Sequence, residues 1–521
     1  MAVQITVKDL SAGIREALFQ DLSFTLSEGD RMGVVGNNGA GKTTLLKCVE
    51  GSLAPWSGNV TLPRGKRLLV VPQTVPSELE SLSLRDAVLD AIDPESRDYL
   101  AWRVDVVLDK FGAPDEMLDR PLAHLSGGWQ RLALIARAWV ADPDILLIDE
   151  PTNHLDLAKI LMLERWLQRE LQTTPLLIVS HDRRFLQTCT NRTLFLRPSL
   201  SRVYDYSFAR ARALLEEDDR VLELKKDREL DELRRLRKSA HTLRQIGVDN
   251  YSAAALRKSN QIARRADAIQ DSLPSTHVEP KRDIKLISQS TRANRLINIE
   301  GMTITQPSGA ILFRIGKLDI GPGERVVVLG RNGTGKTQFI QKLRAGFQLP
   351  DKAREEGLSI GPSLLLGYID QNMSQLPADK TLHDFISAAH GTDFQRATSL
   401  LVSAGFPLSQ QNSSIGSLSP GERARLSLLY LRLSVPSFYL MDEPTNHLDV
   451  AGQEQLESEI LTHGAAAILV SHDRAFIENV GTRYLVIADQ QLLEVESPDI
   501  FYQSLSDDIP LSQLVSRVTI L

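Results

Sequence analysis

The chain has 521 residues, of which 42% are apolar and 24% are charged, and its formal net charge is −6. This length predicts two or more domains, and the acidic balance excludes a surface that is basic throughout, as in proteins that coat nucleic acid. Cys48 and Cys189 are the two cysteines and form no CxxC pair, so the sequence supports neither an iron–sulfur cluster nor a disulfide framework.

The N-terminal segment lacks the pattern of a signal peptide, and no run of apolar residues approaches the length of a membrane span. We therefore expect a cytoplasmic protein without a membrane domain. Alternating apolar residues predict strands over residues 3–7 and 22–26, and an apolar run predicts a third strand over 31–35.

A glycine-rich loop follows the third strand and precedes a helical pattern over 44–49. It contains a complete G-x-x-x-x-G-K-[ST] motif. Backbone N–H groups of such a loop surround phosphate oxygens, while Lys42 adds positive charge and the Thr43 hydroxyl can reach Mg²⁺. The alternative is a glycine-rich turn with an incidental lysine, which the order of strand, loop and helix disfavours. The candidate nucleotide-binding residues are Gly36, Asn37, Asn38, Gly39, Ala40, Gly41, Lys42, Thr43 and Thr44.

Two polar segments follow the phosphate loop. Gln73 comes directly after a predicted strand, and Ser126, Gly127 and Gly128 precede a predicted helix. A serine and two glycines at a helix start can accept an anion, although alone they more often form an ordinary cap. The predicted elements here are a strand over 68–71 and helices over 84–92, 98–111 and 127–140.

An eight-residue segment, Asp-Glu-Pro-Thr-Asn-His-Leu-Asp, occupies residues 149–156 after an apolar strand over 145–148. Carboxylates at the end of a buried parallel strand lie where open α/β sheets bind ligands. Asp149 could hold a hydrated metal ion and Glu150 could polarise a water molecule. A lone Asp-Glu pair is more often an acidic turn, but the same eight residues return unchanged at 442–449, which argues against chance.

The second half of the chain repeats the whole series, including a strand over 325–329 and a second complete phosphate-loop motif. Lys42 and Lys336 are 294 positions apart, Asp149 and Asp442 are 293 apart, and His181 and His472, each in a Ser-His-Asp segment, are 291 apart. Two copies of one domain explain these offsets. The matching residues are Gly330, Arg331, Asn332, Gly333, Thr334, Gly335, Lys336, Thr337, Gln338, Gln371, Ser419, Gly421, Asp442, Glu443 and His472.

Between the copies, residues 207–290 are rich in charges and have helical periodicity. Two apolar stripes predict antiparallel helices with a turn near Gly247, the first helix being about 30 residues and roughly 45 Å long. The stripes are Leu215, Leu222, Leu230, Leu233 and Leu236, then Ala255, Ile262, Ala266, Ile269 and Leu273. Acids lie at the base of this hairpin, and basic residues surround its tip. A solvated spacer is one interpretation, and contact with RNA phosphates is the other. The candidate RNA contacts are Arg234, Arg235, Arg237, Lys238, Arg244, Arg257 and Lys258.

Each half has, in the same order, a phosphate loop, a glutamine, an LSGG-type signature, the DEPTNHLD segment and a histidine, and so resembles the nucleotide-binding cassettes of ABC proteins. Two cassettes with a long charged linker are similar to the ABC-F family of ribosome-associated ATPases. The expected fold is α/β, with two P-loop ABC nucleotide-binding domains joined by a long antiparallel α-helical hairpin. The predicted boundaries are 1–206 and 291–500 for the cassettes, 207–290 for the linker and 501–521 for a short tail.

The resemblance implies head-to-tail cassettes that share two ATP sites. Ser419 and Gly421 would face the first phosphate loop, and Ser126, Gly127 and Gly128 the second. Glu150 and Glu443 would position the attacking water, His181 and His472 would contact the γ-phosphate, and Asp156 and Asp449 would couple the sites. The implied Mg²⁺ ligands are Thr43, Gln73, Asp149, Thr337, Gln371 and Asp442.

The resemblance also implies ribosomal partners, rRNA and P-site tRNA, and a role in relieving stalling or antibiotic inhibition. We expect a monomer whose two cassettes pair within the chain. A fused ATPase subunit of a membrane transporter and a DNA-associated ATPase are the alternatives.

Two departures from the family pattern stand out. Pro420, in the second signature, has no N–H for a phosphate. Residues 11–15 and 305–309 contain no aromatic side chain to stack on adenine, and we expect Phe19 and Phe313 to lie in the core.

Overall fold

The computed structural model describes residues 4–153, 155–273, 295–507, 509–514 and 519–521. The start of the first predicted strand, His154 of the first eight-residue segment and the end of the predicted linker, residues 274–290, lie outside the described residues.

The first cassette combines a small antiparallel sheet with a larger, mainly parallel one. Its strands are β1 Gln4–Gly13, β2 Ala17–Ser27, β3 Arg31–Val35, β4 Ser57–Thr61, β5 Leu68–Val71, β6 Ile145–Asp149, β7 Leu176–Val179, β8 Arg192–Phe195 and β9 Arg202–Tyr204. Its α-helices are α1 Lys42–Glu50, α2 Leu84–Leu89, α3 Arg97–Lys110, α4 Asp115–Leu118, α5 Gly127–Ala141, α6 Leu157–Arg169 and α7 Arg183–Cys189. The strand orders are β2-β1-β4 and β5-β6-β7-β3-β8-β9.

The parallel strands bring the predicted site residues to one edge of the sheet. β6 lies between β5 and β7, and β7 also pairs with β3, all in parallel. β6 and β7 are buried along their whole length, as expected for the central strands of such a sheet. The phosphate loop, Gln73, Asp149 and His181 each follow or end one of these strands, so they collect at the carboxyl edge where such sheets bind ligands.

The second cassette has corresponding strands and helices, but its strands form one continuous sheet. Its strands are β10 Ile297–Thr305, β11 Ile311–Ile320, β12 Arg325–Gly330, β13 Leu358–Ile360, β14 Leu366–Ile369, β15 Phe438–Asp442, β16 Ala466–Val470, β17 Arg483–Ala488, β18 Gln491–Val495 and β19 Thr519–Ile520. Its α-helices are α10 Lys336–Gln348, α11 Pro350–Glu355, α12 Leu382–His390, α13 Phe394–Ser403, α14 Pro420–Leu433, α15 Val450–His463, α16 Arg474–Val480, α17 Pro498–Asp507 and α18 Leu511–Leu514. The order β14-β15-β16-β12-β17-β18 matches that of the first large sheet.

The two cassettes exchange apolar side chains where they meet. Leu157, at the start of α6, is buried in a core cluster formed mainly by the second cassette. Val450, the equivalent residue of α15, is buried in a cluster with Val35 and Leu186 of the first cassette. The residue directly after each DEPTNHLD segment therefore packs in the opposite cassette.

The linker forms a helical hairpin of α8, Phe208–Asp249, and α9, Ala253–Asp271. The first helix is longer than the expected 30 residues or so. It has 42 residues, and it begins directly after the cassette, with Ser207 as its N-cap. The turn lies at Asn250 and Tyr251 rather than near Gly247, which is still within α8. Ala266 of the second stripe is buried against α8, whereas Leu215 at the base packs on the cassettes.

The predicted tail required the second cassette to end at residue 500. The structure has no boundary there. Helix α17 begins at Pro498 and passes through that boundary. Phe501 and Tyr502 are buried in the core of the second cassette. In the part of the chain that the structure describes, no helix is both long and apolar enough to cross a membrane.

Candidate nucleotide-binding sites

Both phosphate loops have the backbone shape that their glycines permit. Gly39 and Gly41 have φ of 81° and 91°, and Gly333 and Gly335 have φ of 81° and 105°. L side chains rarely adopt this left-handed region. A Cβ at Gly36 would approach the Leu196 carbonyl to 2.7 Å. The glycines are therefore needed for the fold of the loops as well as for room around a ligand.

The two loop lysines are buried and bind their own loops. The Lys42 ammonium donates to the carbonyls of Gly36 at 2.9 Å and Asn37 at 3.2 Å. The Lys336 ammonium donates to Gly330 at 2.7 Å and to Arg331 at 3.1 Å. Burial lowers the pKa of both lysines, while nearby carboxylates oppose this shift. Each lysine thus stands as a cation at the mouth of a loop that can accept phosphate.

A hydroxyl and a carboxylate face each other at each site. The Thr43 hydroxyl donates to Asp149 at 2.7 Å. Burial raises the pKa of Asp442 to about 6, and the hydrogen bond from Thr337 opposes that rise. Such oxygen donors are the ligands that Mg²⁺ prefers. Gln73 and Gln371, after β5 and β14, are exposed near this edge and offer further oxygens.

Glu150 and Glu443 share an unusual backbone conformation. Their φ angles are 51° and 53°, in the left-handed region that costs a non-glycine residue roughly 1–3 kcal/mol and is often found at functional sites. Their N–H groups each donate at 2.8 Å to the last residue of the neighbouring strand, Val179 or Val470. The fold therefore fixes both carboxylates just beyond the strand edge.

Each glutamate is also held by the histidine of the Ser-His-Asp segment in its own cassette, His181 or His472, which we call the switch histidine. The backbone N–H of His181 donates to the Glu150 carboxylate at 3.2 Å, and the backbone N–H of His472 donates to the Glu443 carboxylate at 3.1 Å. The second carboxylate oxygen of each glutamate is buried and has no hydrogen-bond partner among the described residues, although a histidine Nε2 lies 3.3 or 3.5 Å away. A buried oxygen with a free lone pair fits a group that orients water.

The electrostatics of this pair favour neutral histidines. Burial lowers the pKa of His472 to about 4, with nearby Lys336 adding to the effect. Burial also lowers the pKa of His181 and raises that of Glu443, to about 7. A neutral imidazole can donate one hydrogen bond to a phosphate oxygen without adding a charge.

Arg131 was missed by the sequence analysis. Its side chain, in α5, is buried, and it donates to the Asp149 carbonyl at 2.5 Å and to the Pro72 carbonyl. Arg131 thereby links β6 to the segment before Gln73. Burial lowers its pKa to about 10. Its only signal in the sequence is an arginine on the apolar face of a predicted helix.

The first site is assembled from both cassettes. The backbone N–H of Asn38 donates to Asp449 at 3.0 Å, and the Asn38 side chain donates to the His447 carbonyl at 3.0 Å. A Cβ on Gly421 would meet the Asn38 side chain at 2.8 Å. The second signature and the second DEPTNHLD segment therefore lie directly against the first phosphate loop.

Asp156 of the first cassette acts on the second site through its charge. Asp156 caps α6 by accepting from the Lys159 N–H at 3.0 Å, and its charge acts on both Lys336 and His472 across the cassette boundary. The structure thus brings Asp156 near the second phosphate loop, as Asp449 approaches the first.

The two signatures differ in charge and in hydrogen bonding. The Ser419 side chain forms a capping box with Glu422, to which its hydroxyl donates at 2.7 Å. Burial raises the pKa of Glu422, but hydrogen bonds from Gln410 and Ser419 outweigh it and leave the pKa lowered. The equivalent residue of the first signature is Trp129, whose ring lies 4.3 Å from the Lys159 ammonium, and Ser126 makes no side-chain cap. A fixed carboxylate therefore accompanies the signature at the first site alone.

A cavity of about 320 Å³ lies beside the second phosphate loop. It is lined by Ile304, Thr305, Gln306, Pro307, Gln338, Gln341 and Lys342. Phe19 and Phe313 are fully buried, so neither presents a ring at either site. Amide side chains, rather than an aromatic platform, surround the space next to Gln338.

Comparison with known proteins supports these observations. A family model described as "ABC transporter" matches residues 19–153 and 314–446, just over half of the chain. The chain is 29% identical to "Probable ATP-binding protein YheS" of Escherichia coli (strain K12), over 95% of this chain and 80% of that protein. It is 27% identical to "ABC transporter F family member 5" of Arabidopsis thaliana, over 91% and 73% of the two chains.

The structure also resembles that of an archaeal ribosome recycling factor, aABCE1, solved in complex with the archaeal ribosomal stalk protein aP1. The TM-score is 0.62 at 21% identity, and the match covers 94% of this chain and 88% of that one. At this identity the likeness concerns the fold.

We predict that Lys42→Ala or Lys336→Ala lowers the ATP affinity of its own site by roughly 10- to 100-fold, the equivalent of a charged hydrogen bond of about 1.5–3 kcal/mol. Titration with a fluorescent ATP analogue measures this. Lys47→Ala, on the exposed face of the same helix α1, is the matched control and should bind normally. Unchanged affinity in both loop variants would refute the phosphate-loop assignment.

We predict that Glu422→Gln raises the ATP affinity of the first site by about threefold to tenfold, because the variant keeps the capping box but removes a negative charge near the phosphates. The measurement uses the Lys336→Ala background, in which the first site dominates. Asp384→Asn, in the first turn of α12, is the control. An equal gain in both variants would indicate a general effect of net charge and contradict the local explanation.

Proposed function

The chain belongs to the ABC transporter family as an ATPase of the ABC-F type, and on this premise we propose that it is a translation factor that binds the ribosome when ATP closes the two cassettes. The observation that carries the proposal is a long helical hairpin with a basic tip, fixed at its base to both cassettes. Closure of the cassettes on ATP, followed by hydrolysis of that ATP, would then control where this tip is presented.

The base of the hairpin is held by the acids that the sequence analysis noted there. Asp219 pairs with Arg197 at 2.7 Å, and Asp218 accepts a hydrogen bond from the Tyr204 hydroxyl at 2.6 Å. Arg212 of α8 reaches Glu454 of α15 at 2.8 Å. The hairpin is therefore tied to the first cassette and also contacts the helix that begins at Asp449.

The far end of the hairpin supports contact with RNA. A 42-residue helix extends about 63 Å at 1.5 Å per residue. Tyr251 at the turn is 95% exposed, which suits stacking on an unpaired base. Arg234 and Arg237 contact Asp231 and Gln270. Arg235, Lys238, Arg244, Arg257, Lys258 and Arg264 are further exposed basic side chains of this part of the hairpin.

The chemistry at each site follows from the charges and hydrogen bonds around the phosphate loop. Lys42 or Lys336 and the loop N–H groups stabilise charge on the transferring phosphoryl group. Glu150 or Glu443 orients the attacking water with its free oxygen, and His181 or His472 donates to the γ-phosphate. The threonine hydroxyl, the aspartate and the glutamine of each cassette would hold Mg²⁺, which would supply positive charge beside the phosphates. The signature serine of the opposite cassette completes each site.

In the proposed cycle the ATP-bound form occupies the tRNA exit site of the ribosome, and the hairpin reaches toward P-site tRNA and the peptidyl-transferase centre. Binding there would relieve stalling or antibiotic inhibition, and hydrolysis would release the protein. The protein would act in the cytoplasm. The resemblance to ABC-F proteins and to a ribosome recycling factor supports this proposal.

We expect the double variant Glu150→Gln, Glu443→Gln to co-sediment with ribosomes in ATP but not in ADP. The variant should keep ATP binding and closure and lose hydrolysis, because glutamine retains the size but not the charge of the catalytic side chain. ATP-dependent recovery in membranes would favour a transporter subunit, and salt-sensitive binding to branched DNA without ribosomes would favour a DNA-associated ATPase. Either result would contradict the proposal.

Neutralising the tip should weaken ribosome binding without affecting the cassettes. We predict that replacing Arg244, Arg257 and Lys258 by Gln lowers the slope of log affinity against log salt by about one for each phosphate that the tip no longer neutralises. Basal ATP hydrolysis should stay unchanged. The control replaces Arg220, Lys225 and Arg228, exposed basic residues nearer the base of α8. Equal effects of the two triple variants would argue for a spacer instead of a recognition element.

A further inference from the structure

Two arginines, each two residues after a switch histidine, cross the cassette boundary. Arg183 is the first residue of α7, and it contacts Glu457 of α15 at 3.1 Å and Asp473 at 3.5 Å. Arg474, the first residue of α16, contacts Glu164 of α6 at 3.2 Å. The two arginines are 291 positions apart, as are the histidines His181 and His472 that precede them.

These contacts are buried. The exposed fractions of the side chains are 8% for Arg183 and Glu457, and 8% and 7% for Arg474 and Glu164. Removing one partner of such a pair leaves a buried charge uncompensated, which is more damaging than losing an exposed ion pair. The cluster therefore favours the closed arrangement in which all partners are present.

Arg183 connects elements of both sites. Glu457 lies on α15, whose first-turn cap Asp449 binds the backbone of Asn38 in the first phosphate loop. Asp473 is the residue next to His472 of the second site. A single side chain thus contacts a helix that completes one site and the neighbour of the switch histidine in the other.

Arg474 makes the mirror-image connection. Glu164 lies on α6, which begins after Asp156 at the second site. Asp182, the residue next to His181, is half-buried, and the charge of Arg474 opposes the rise in its pKa that burial causes. Burial raises the pKa of Asp473 to about 6, again against the influence of an arginine from the opposite cassette. Each arginine therefore stabilises the charge of a carboxylate beside the other cassette's histidine.

We propose that Arg183 and Arg474 are positioning residues that couple the two ATP sites, so that displacement of one switch histidine is transmitted to the other through a crossed pair of buried ion pairs. Arg183 is two residues from His181, and so it moves when that segment follows the γ-phosphate. Its movement loosens Asp473 and with it the backbone that holds His472. The reverse path runs through Arg474 and Asp182.

An exposed contact beside the cluster provides a matched control. Arg184, the next residue of α7, pairs with Glu478 of α16 at 2.5 Å, also across the cassette boundary. Its side chain is 45% exposed, and neither partner adjoins a site residue in the way that Asp182 and Asp473 do. Exposed pairs of this kind contribute little to stability.

The test measures ATP turnover of the full chain against ATP concentration for Arg183→Gln, Arg474→Gln and Arg184→Gln. We expect a Hill coefficient approaching the two-site limit of 2 in the unmodified chain and about 1 in the first two variants, with turnover retained. Arg184→Gln should keep the cooperativity. A Hill coefficient of about 1 in the unmodified chain, unchanged cooperativity in both cluster variants, or equal loss in Arg184→Gln would overturn the proposal.

Two further measurements keep the result interpretable. Thermal melting establishes that each variant folds. If Arg183→Gln does not fold, Arg183→Lys replaces it, because lysine retains the charge but loses the forked geometry of the guanidinium. The coupling deepens the ATP cycle proposed above. Because the assay contains no ribosomes, failure of the ribosome proposal and failure of the coupling give different results.

Discussion

The two sites depend on the reciprocal crossing of the segments that follow Asp149 and Asp442. Each segment provides a strained glutamate to its own cassette, and a few residues later it reaches the opposite one with an aspartate and an apolar side chain. A short stretch of chain therefore joins the two cassettes by backbone hydrogen bonding, by burial of apolar side chains and by charge. Chemistry at one cassette cannot be separated from the docking of the other.

The local parts of each site could be predicted from the sequence, because phosphate loops and acidic strand ends are defined by nearby residues. The fold class was confirmed. Contacts between the cassettes could not be predicted in detail. Arg183, Arg474, Glu164 and Glu457 recur at the repeat offset, but a charged residue on a helix gives no sign that it will be buried by a distant partner. Arg131 was missed for the same reason.

The linker shows how tertiary contacts change a prediction made from periodicity. Its apolar stripes predicted a hairpin, but not a helix that begins at Phe208, because residues at the base of α8 pack on the cassettes and not on α9. The end of the chain is similar, since α17 continues through the expected boundary to bury Phe501.

The unequal signatures have a consequence for the evolution of the chain. When two separate identical subunits pair, a substitution in the signature alters both of their shared sites at once. Covalent duplication removes that restriction, and here one copy has Pro420 and Glu422 where the other has Gly127 and Trp129. Each change acts on the site whose phosphate loop lies in the sister copy, so the two halves can diverge in sequence and still be inherited as one functional unit.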